Sequence, residues 1–252
     1  MKHDKELQSP IEQERINNLI SIIPKGYSTL LDIGARDGYI SNLLSPFFRK
    51  VTALDLEKPR LAEENIITVK GDVTNLEFPD NSFDVTLCTE VLEHIPPELL
   101  SNACNEIVRV AKSFVVIGVP YKQDIRYGRT TCSFCRGENP PWGHVNIFDV
   151  NKLERLFRSL RLESKSFLGK SGWGKTNLFS ALLMDLAGNP WGVYDREQRC
   201  LHCGRKVIPL LSENRNVLEK VCSKIAYLLN TLQTFFTPSC PTWVHIVFKK
   251  PQ

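Results

Sequence analysis

Short apolar runs alternate with helical patterns along the first half of the chain. A lead-in helix is predicted at 10–23, and helices at 37–44 and 97–111 fill intervals between the runs. The runs are nearly continuous in apolar residues, which is typical of parallel strands covered on both faces. They predict strands at residues 29–33, 51–54, 66–69, 84–89 and 114–119. The alternation indicates an α/β fold with a doubly wound, mostly parallel, Rossmann-like sheet.

The pattern changes after Pro120. Residues 121–144 are rich in Gly, Cys, Pro and Arg and predict an irregular loop, after which Asp149 is suited to cap a helix that reaches about residue 160. Residues 161–168 predict a sixth strand, and the alternating stretch 242–248 predicts a seventh that rejoins the sheet. We therefore expect a core at 1–168, an insertion at 169–240 and the last sheet strand at 241–252.

A long amphipathic helix is predicted inside the insertion, at 217–236. Apolar residues recur there at helical spacing, interrupted by Lys224 and Asn230. The simplest interpretation is a helix that covers a core or a substrate cleft. A helix that lies on a membrane surface or in a dimer interface is the alternative, and the sequence leaves the oligomeric state open.

Composition restricts the classes of protein that this chain can represent. Its net charge is +4 over 252 residues and Lys and Arg are scattered, so nucleic acid is a disfavoured partner. The N-terminal residues are polar where a secretory signal needs an apolar stretch, and no run of about 18 apolar residues occurs, so we expect a cytoplasmic protein. Eight cysteines without an export signal favour metal ligands and buried thiols over a disulfide framework.

The segment LLDIGARDGYIS, residues 30–41, carries the clearest chemistry. A strand that ends in Asp32 turns through Gly34 and Gly38 and opens a helix, so backbone N–H groups can approach a ligand closely. The segment resembles motif I, D/E-x-G-x-G-x-G, of the class I S-adenosylmethionine-dependent methyltransferases. Arg36 stands where that motif has its middle glycine.

Further positions follow in the order that this family requires. Asp55 ends the second strand, where an acidic side chain can accept both ribose hydroxyls. Residues 70–97, KGDVTNLEFPDNSFDVTLCTEVLEHIPP, are similar to the family's run from an adenine-contacting Gly-Asp to a V-L-E-H-I segment, and GHVNIFD at 143–149 more loosely resembles a segment of its small-molecule enzymes. The resemblance implies S-adenosylmethionine bound along Asp32, Gly34, Ala35, Arg36, Gly38, Asp55, Leu56, Asp72, Val73, Thr89 and Glu90.

Two other motifs suggest different chemistry. GKSGWGKT, residues 169–176, satisfies the phosphate-loop pattern of nucleotide-binding enzymes. A phosphate loop follows the first strand of its own sheet, and too little chain follows Thr176 for such a sheet, so we favour coincidence in a glycine-rich loop. Asn139-Pro-Pro-Trp142 resembles a motif of amino-group methyltransferases, but that motif ends the fourth strand, so a proline-rich active-site loop is favoured here.

Two C-x-x-C pairs predict a metal site. Cys132 and Cys135 in one pair, and Cys200 and Cys203 in the other, supply four thiolates for a tetrahedral Zn²⁺. Four protein ligands would make the zinc structural rather than catalytic, and it would pin the insertion. Disulfides or unpaired thiols are the alternative. The cysteines at 88, 104, 222 and 240 are interpreted as packing residues.

The resemblance implies methyl transfer, an in-line displacement that needs an aligned acceptor and, for a hydroxyl acceptor, a base. His94 and His144 are the candidate bases, because both are expected on the cofactor side of the sheet. We expect a small-molecule or carbohydrate acceptor, since strong positive charge is missing. Methylation of RNA or protein, with the zinc module gripping the macromolecule, is one alternative. A cofactor-binding protein without catalysis is the other.

Overall fold

A computed structural model describes residues 9–169, 174–195, 197–210 and 215–251. The chain divides into two compact units. The first, called here the sheet unit, contains residues 1–121, 148–170 and 241–252. The second, called the cysteine unit, contains residues 122–147 and 171–240, so the irregular loop groups with the insertion.

The strands are β1 (Thr29–Ile33), β2 (Lys50–Asp55), β3 (Ile66–Lys70), β4 (Phe83–Thr89), β5 (Ala111–Pro120), β6 (Thr130–Thr131), β7 (Glu138–Asn139), β8 (Arg161–Leu168) and β9 (Trp243–Lys249). The sheet unit contains a seven-stranded sheet in the order β3-β2-β1-β4-β5-β9-β8. Strands β1 to β5 are parallel, and β9 runs antiparallel to both β5 and β8. This confirms the predicted doubly wound sheet and its returning last strand.

The helices of the sheet unit are α1 (Pro10–Ile22), α2 (Tyr39–Leu44), α3 (Pro97–Val110) and α4 (Val150–Leu156). Helix α4 begins as predicted, because the Asp149 carboxylate accepts a hydrogen bond from the Lys152 N–H at 2.7 Å. It ends earlier than predicted, since Phe157 leaves helical geometry at φ −106° and ψ 32°. The glycine turn also delays the start of α2 by two residues.

Both faces of the sheet are covered by apolar side chains. Successive residues of β1 point to opposite faces, so Leu30 packs in one cluster with Leu19 of α1 and Leu31 in another with Ile107 of α3. All four side chains are fully buried, and each such burial stabilises the fold by about 1.5–3 kcal/mol. Burial on both faces explains why the strands are apolar at nearly every position.

The cysteine unit contains the antiparallel pair β6–β7 and the helices α5 (Leu178–Leu186) and α6 (Val217–Phe236). The bounds of α6 are those predicted. Helix α5 was not predicted; it begins where the Asn177 side chain accepts from the Ser180 N–H at 2.9 Å. Over the ranges that the structure describes, no helix is long and apolar enough to cross a membrane.

Candidate functional site

A tight glycine turn follows β1. Gly34 and Gly38 have φ of 79° and 81°, a conformation that residues with a Cβ rarely adopt. A Cβ at Gly34 would lie 2.2 Å from the Val91 side chain, and one at Gly38 would lie 2.3 Å from Leu61. The N–H groups of Gly34 and Ala35 donate to the Leu54 carbonyl at 2.8 and 3.0 Å. Only glycine fits these two positions without displacing neighbours.

Arg36 occupies the place of the middle motif glycine in the same backbone region, with φ of 53°. Its side chain is exposed, and its backbone N–H donates to the Asp55 carboxylate at 2.8 Å. The left-handed conformation costs a non-glycine residue about 1 kcal/mol. The chain therefore keeps the shape of the turn although it lacks the glycine.

Asp32 is buried at the base of the turn. Its carboxylate accepts a hydrogen bond from the Ser41 hydroxyl of α2 at 2.6 Å. Burial raises the pKa of Asp32 to about 7; the Ser41 bond opposes this shift and the Asp55 charge adds to it. A carboxyl group with such a pKa can change its charge near neutral pH.

The ends of β2 and β3 bring two further carboxylates to this edge. The Asp55 carbonyl accepts from the Gly71 N–H at 2.9 Å, which ties the two strand ends together. The next residue, Asp72, is exposed and accepts from the Thr74 N–H and hydroxyl, both at 2.8 Å. Leu56 is 64% exposed, so an apolar side chain lies open to solvent beside Asp55, whereas Val73 is buried.

The end of β4 completes the edge. A Cβ on Gly34 would lie 4.0 Å from the Thr89 carbonyl, so this strand end lies against the glycine turn. Glu90 has a φ of 56°, and its carboxylate accepts from the Trp243 indole N–H at 3.2 Å. Burial raises the pKa of Glu90 to about 6, against the effects of the Arg15 charge and the Trp243 bond. The sheet unit thus gathers the predicted cofactor residues along the carboxyl ends of β1 to β4.

Two charged residues near Glu90 were not predicted. Arg15 of α1 is only 8% exposed and binds Glu12 through three side-chain contacts of 2.5, 3.0 and 3.1 Å. Glu93 is fully buried, and neither of its carboxylate oxygens has a hydrogen-bond partner within the described residues. Burial raises the pKa of Glu93 well above its usual range, and the Glu90 charge adds to this. Of these two residues, only Arg15 could have been inferred from the sequence to be buried. It lies one helical turn before the apolar Leu19 and therefore on the same side of α1.

The predicted bases lie in different units. His94 ends a short 3₁₀ turn at Leu92–His94 in the sheet unit and is exposed. His144 belongs to the cysteine unit and is 6% exposed, with its Nδ1 atom 2.6 Å from the Gln123 amide oxygen. A further histidine, His245, is fully buried in β9, and burial lowers its pKa to about 3.

The four predicted metal ligands come together in the cysteine unit. The sulfur atoms of Cys132, Cys135, Cys200 and Cys203 all lie within 4.8 Å of one another. The Cys135 and Cys200 sulfurs are 3.6 Å apart, too far for a disulfide and close to the roughly 3.8 Å expected of thiolates about 2.3 Å from a shared Zn²⁺. All eight cysteines are free thiols. The donor set and its spacing therefore fit a tetrahedral metal ion.

The two cysteine pairs have the same local geometry. The residue after each second cysteine is left-handed, with φ of 61° at Arg136 and 70° at Gly204. Each of these residues donates its N–H to the carbonyl of the first cysteine of its pair, at 2.9 Å in both cases. The fold thus forms two similar knuckles.

The structure also describes contacts of the two other motifs. Asn139 does not end β4. Its side-chain amide nitrogen lies 3.4 Å from the Cys200 sulfur, and its side-chain amide oxygen accepts from the Leu201 N–H at 2.9 Å. In the phosphate-loop match, residues 170–173 lie outside the described ranges. Of the described part, the Thr176 N–H donates to Asp124 and its hydroxyl donates to Asn230. These groups of Thr176 therefore serve internal contacts.

Comparison with known proteins identifies the class. Residues 31–116 match the family model described as a methyltransferase domain. This stretch runs from β1 into β5 and contains the glycine turn, Asp55 and the end of β4. Together with the sheet order described above, the match identifies residues 31–116 as a methyltransferase domain and confirms the prediction of a class I S-adenosylmethionine-dependent methyltransferase.

Individual relatives agree with that assignment. The ubiquinone biosynthesis O-methyltransferase of Albidiferax ferrireducens is 25% identical over 186 residues, 59% of this chain and 73% of its own. Other curated methyltransferases match over less than half of their own length. The solved YcgJ protein of Bacillus subtilis covers 95% of this chain and 99% of its own, at 17% identity and a TM-score of 0.56. The N-methyltransferase NodS of Bradyrhizobium japonicum, solved with S-adenosyl-L-homocysteine, covers 98% and 91% at 14% identity and a TM-score of 0.53.

Proposed function

We propose that the carboxyl edge of the sheet binds S-adenosylmethionine. Asp55 would accept the ribose hydroxyls, Asp72 the adenine amino group, and the exposed Leu56 would cover the adenine ring. This proposal depends on the position of the Asp55 carboxylate, which accepts a hydrogen bond from the Arg36 N–H beside the glycine turn. When bound, the cofactor supplies an electrophilic methyl group on a sulfonium sulfur. The proposed contacts are those predicted: Asp32, Gly34, Ala35, Arg36, Gly38, Asp55, Leu56, Asp72, Val73, Thr89 and Glu90.

Calorimetry on the whole chain tests this site. We expect S-adenosylhomocysteine to bind and Asp55→Ala to weaken binding at least tenfold, because two charge-assisted hydrogen bonds are lost. Glu57→Ala, which removes an exposed neighbouring acid, is the matched control and should bind normally. Heat from ATP but none from the methyl donor or its product would disprove the proposal.

The acceptor is, in our proposal, a small molecule or carbohydrate. A net charge of +4 without clustered basic residues gives little attraction for RNA. The relative from ubiquinone biosynthesis, an O-methyltransferase, supports a small acceptor by analogy. Transfer of labelled methyl groups into a cell extract, followed by size fractionation, tests this. Label in the low-mass fraction is the expected result, and label removed by nuclease or protease would establish the macromolecular alternative.

His94 and His144 are proposed as bases for a hydroxyl or amine acceptor. The exposed His94 follows the end of β4, and the Gln123 amide oxygen is suited to fix the tautomer of His144. A true base lowers kcat and alters the acid limb of the pH profile when it is replaced by alanine or glutamine. If both alanine variants kept the wild-type kcat and profile, positioning alone would account for catalysis.

We further propose that the four clustered cysteines hold a structural Zn²⁺. Cys132 and Cys200 are buried while Cys135 and Cys203 are exposed, so the ion would lie at the edge of the cysteine unit. All four positions of a tetrahedral ion would be filled by protein, which leaves none for a substrate. The role of the metal is therefore to hold two distant chain segments together.

A further inference from the structure

The two helices of the cysteine unit bury their small residues and expose their large apolar ones. In α6 the buried residues are Cys222, Ser223, Ala226 and Asn230, and in α5 they are Ser180 and Ala181. The exposed side chains form a surface that we call the apolar helix surface. Its members are Leu178, Phe179, Leu182, Leu186, Val217, Leu218, Val221, Ile225, Tyr227, Leu228, Leu232, Phe235 and Phe236.

This arrangement reverses that of an ordinary helix in water. Leu178, Phe235 and Phe236 are 77%, 79% and 86% exposed, so nothing in the described chain covers them. Helices α5 and α6 pack on each other, their buried residues are small or polar, and the Asn177 amide donates to the Gln233 side chain at 2.8 Å. Small and polar contacts between helices whose large apolar residues point outward are typical of helices in lipid. Soluble monomers rarely expose apolar patches above about 300–600 Å².

The charges of α6 indicate which lipid. Lys220 and Lys224 are exposed at its N-terminal half, and Glu219 is bonded to the Asn216 backbone N–H in a capping box. Asp185, the acidic residue of α5, is paired with Arg129 at 2.9 Å. In a dimer formed through this surface, neither Glu219 nor Asp185 would be available to pair with the two lysines of the other copy. The negative headgroups of an anionic bilayer would attract both Lys220 and Lys224.

Aromatic residues also suit a bilayer surface. Tyr227 packs edge to face on Trp191, with ring centroids 5.5 Å apart, and Trp191 is 51% exposed. Such amphipathic rings favour the headgroup region. None of the described helices is long and apolar enough to cross a membrane, so α6 would lie in the plane of the interface.

We propose that the apolar helix surface docks onto the face of an anionic lipid bilayer. Sedimentation of the purified whole chain with vesicles tests this, using phosphatidylcholine alone and phosphatidylcholine mixed with phosphatidylglycerol. We expect strong binding to the mixed vesicles, reduced by salt, and weaker binding to the neutral ones. The double variant Phe235→Ser, Phe236→Ser should bind at least tenfold more weakly. Ile67→Ser, at an apolar β3 residue that is 45% exposed, is the matched control and should bind as wild type.

The lysines separate charge from apolar insertion. Lys220→Gln and Lys224→Gln should each weaken binding to the anionic vesicles roughly fivefold and leave binding to neutral ones unchanged. Circular dichroism of each variant establishes that α6 is still folded. Absence of vesicle binding by the folded wild type would overturn the proposal. So would a dimer in sedimentation velocity that the double phenylalanine variant dissociates, because that result assigns the surface to a second copy.

Discussion

The two units of this chain are held together in different ways. The sheet unit has two large buried clusters, one on each face of the sheet. Among the described residues of the cysteine unit, the buried apolar cluster comprises Cys132, Cys200 and Val207. Many large apolar side chains of α5 and α6 are instead exposed. A unit that buries so little apolar surface needs another source of stability, and the four thiols can provide it through a metal. The comparison teaches that apolar burial can account for the stability of the sheet unit, whereas in the cysteine unit the proposed zinc ion would have to replace it.

Metal removal should produce the largest effect. Structural zinc contributes about 10–16 kcal/mol in small zinc domains, so we expect chelation to unfold the cysteine unit and leave the sheet unit folded. Hydrogen exchange with mass spectrometry measures this segment by segment, and metal analysis should find one zinc per chain. Cys200→Ser should reproduce the loss, whereas Cys222→Ser, outside the cluster, should retain the metal. A folded cysteine unit without metal would break the comparison.

Truncation of a large side chain should affect the two units unequally. Phe157 is fully buried and packs on Phe248 with ring centroids 5.2 Å apart, so Phe157→Ala should cost about 3–5 kcal/mol of unfolding free energy. Phe235→Ala, at a residue that is 79% exposed, should change it by less than about 0.5 kcal/mol. Urea unfolding of each variant measures both values. Equal losses at the two sites would show that α6 is packed on its apolar face.

Asp32 should make the sheet unit less stable as pH rises. Its pKa is raised from 3.8 to about 7, so the folded state binds the proton more tightly and stability falls between about pH 4 and pH 7. Asp32→Asn keeps a partner for Ser41 and removes this dependence. Without cofactor, the free energy of unfolding of this variant should equal that of the wild type near pH 4. Above pH 7 it should exceed the wild-type value by at most about 4 kcal/mol. Parallel pH dependences of the two proteins in urea unfolding would refute the buried carboxyl as the cause.

The smallest effect is expected at Arg36. Arg36→Gly removes the left-handed strain at φ 53° and should raise the free energy of unfolding by up to about 1 kcal/mol. Arg36→Ala removes the same side chain but keeps the strain, so it should bring no gain. Thermal unfolding of both variants separates the two cases. A gain shared by both would point to the side chain rather than to the backbone.

The sheet could be predicted closely because its signals are local. Strands buried on both faces are apolar at nearly every position, and only glycine fits at 34 and 38, so both features can be identified from a few neighbouring residues. Helix ends were less predictable: Phe157 ends α4 early, and α5 escaped notice because its sequence is apolar almost throughout. Glu93 could not be predicted as a buried carboxyl, since its burial depends on elements far away in the chain.

The sequence by itself determined the order of strands and helices in the sheet unit, the glycine turn with its acidic neighbours, and the bounds of α6. Tertiary structure decided that Cys135 and Cys200, 65 residues apart, lie side by side, that Arg15 is buried, and that α6 turns its apolar side outward. The physical reason is that periodicity records which side of a helix is apolar, whereas the neighbour of that side is set by contacts distant in sequence.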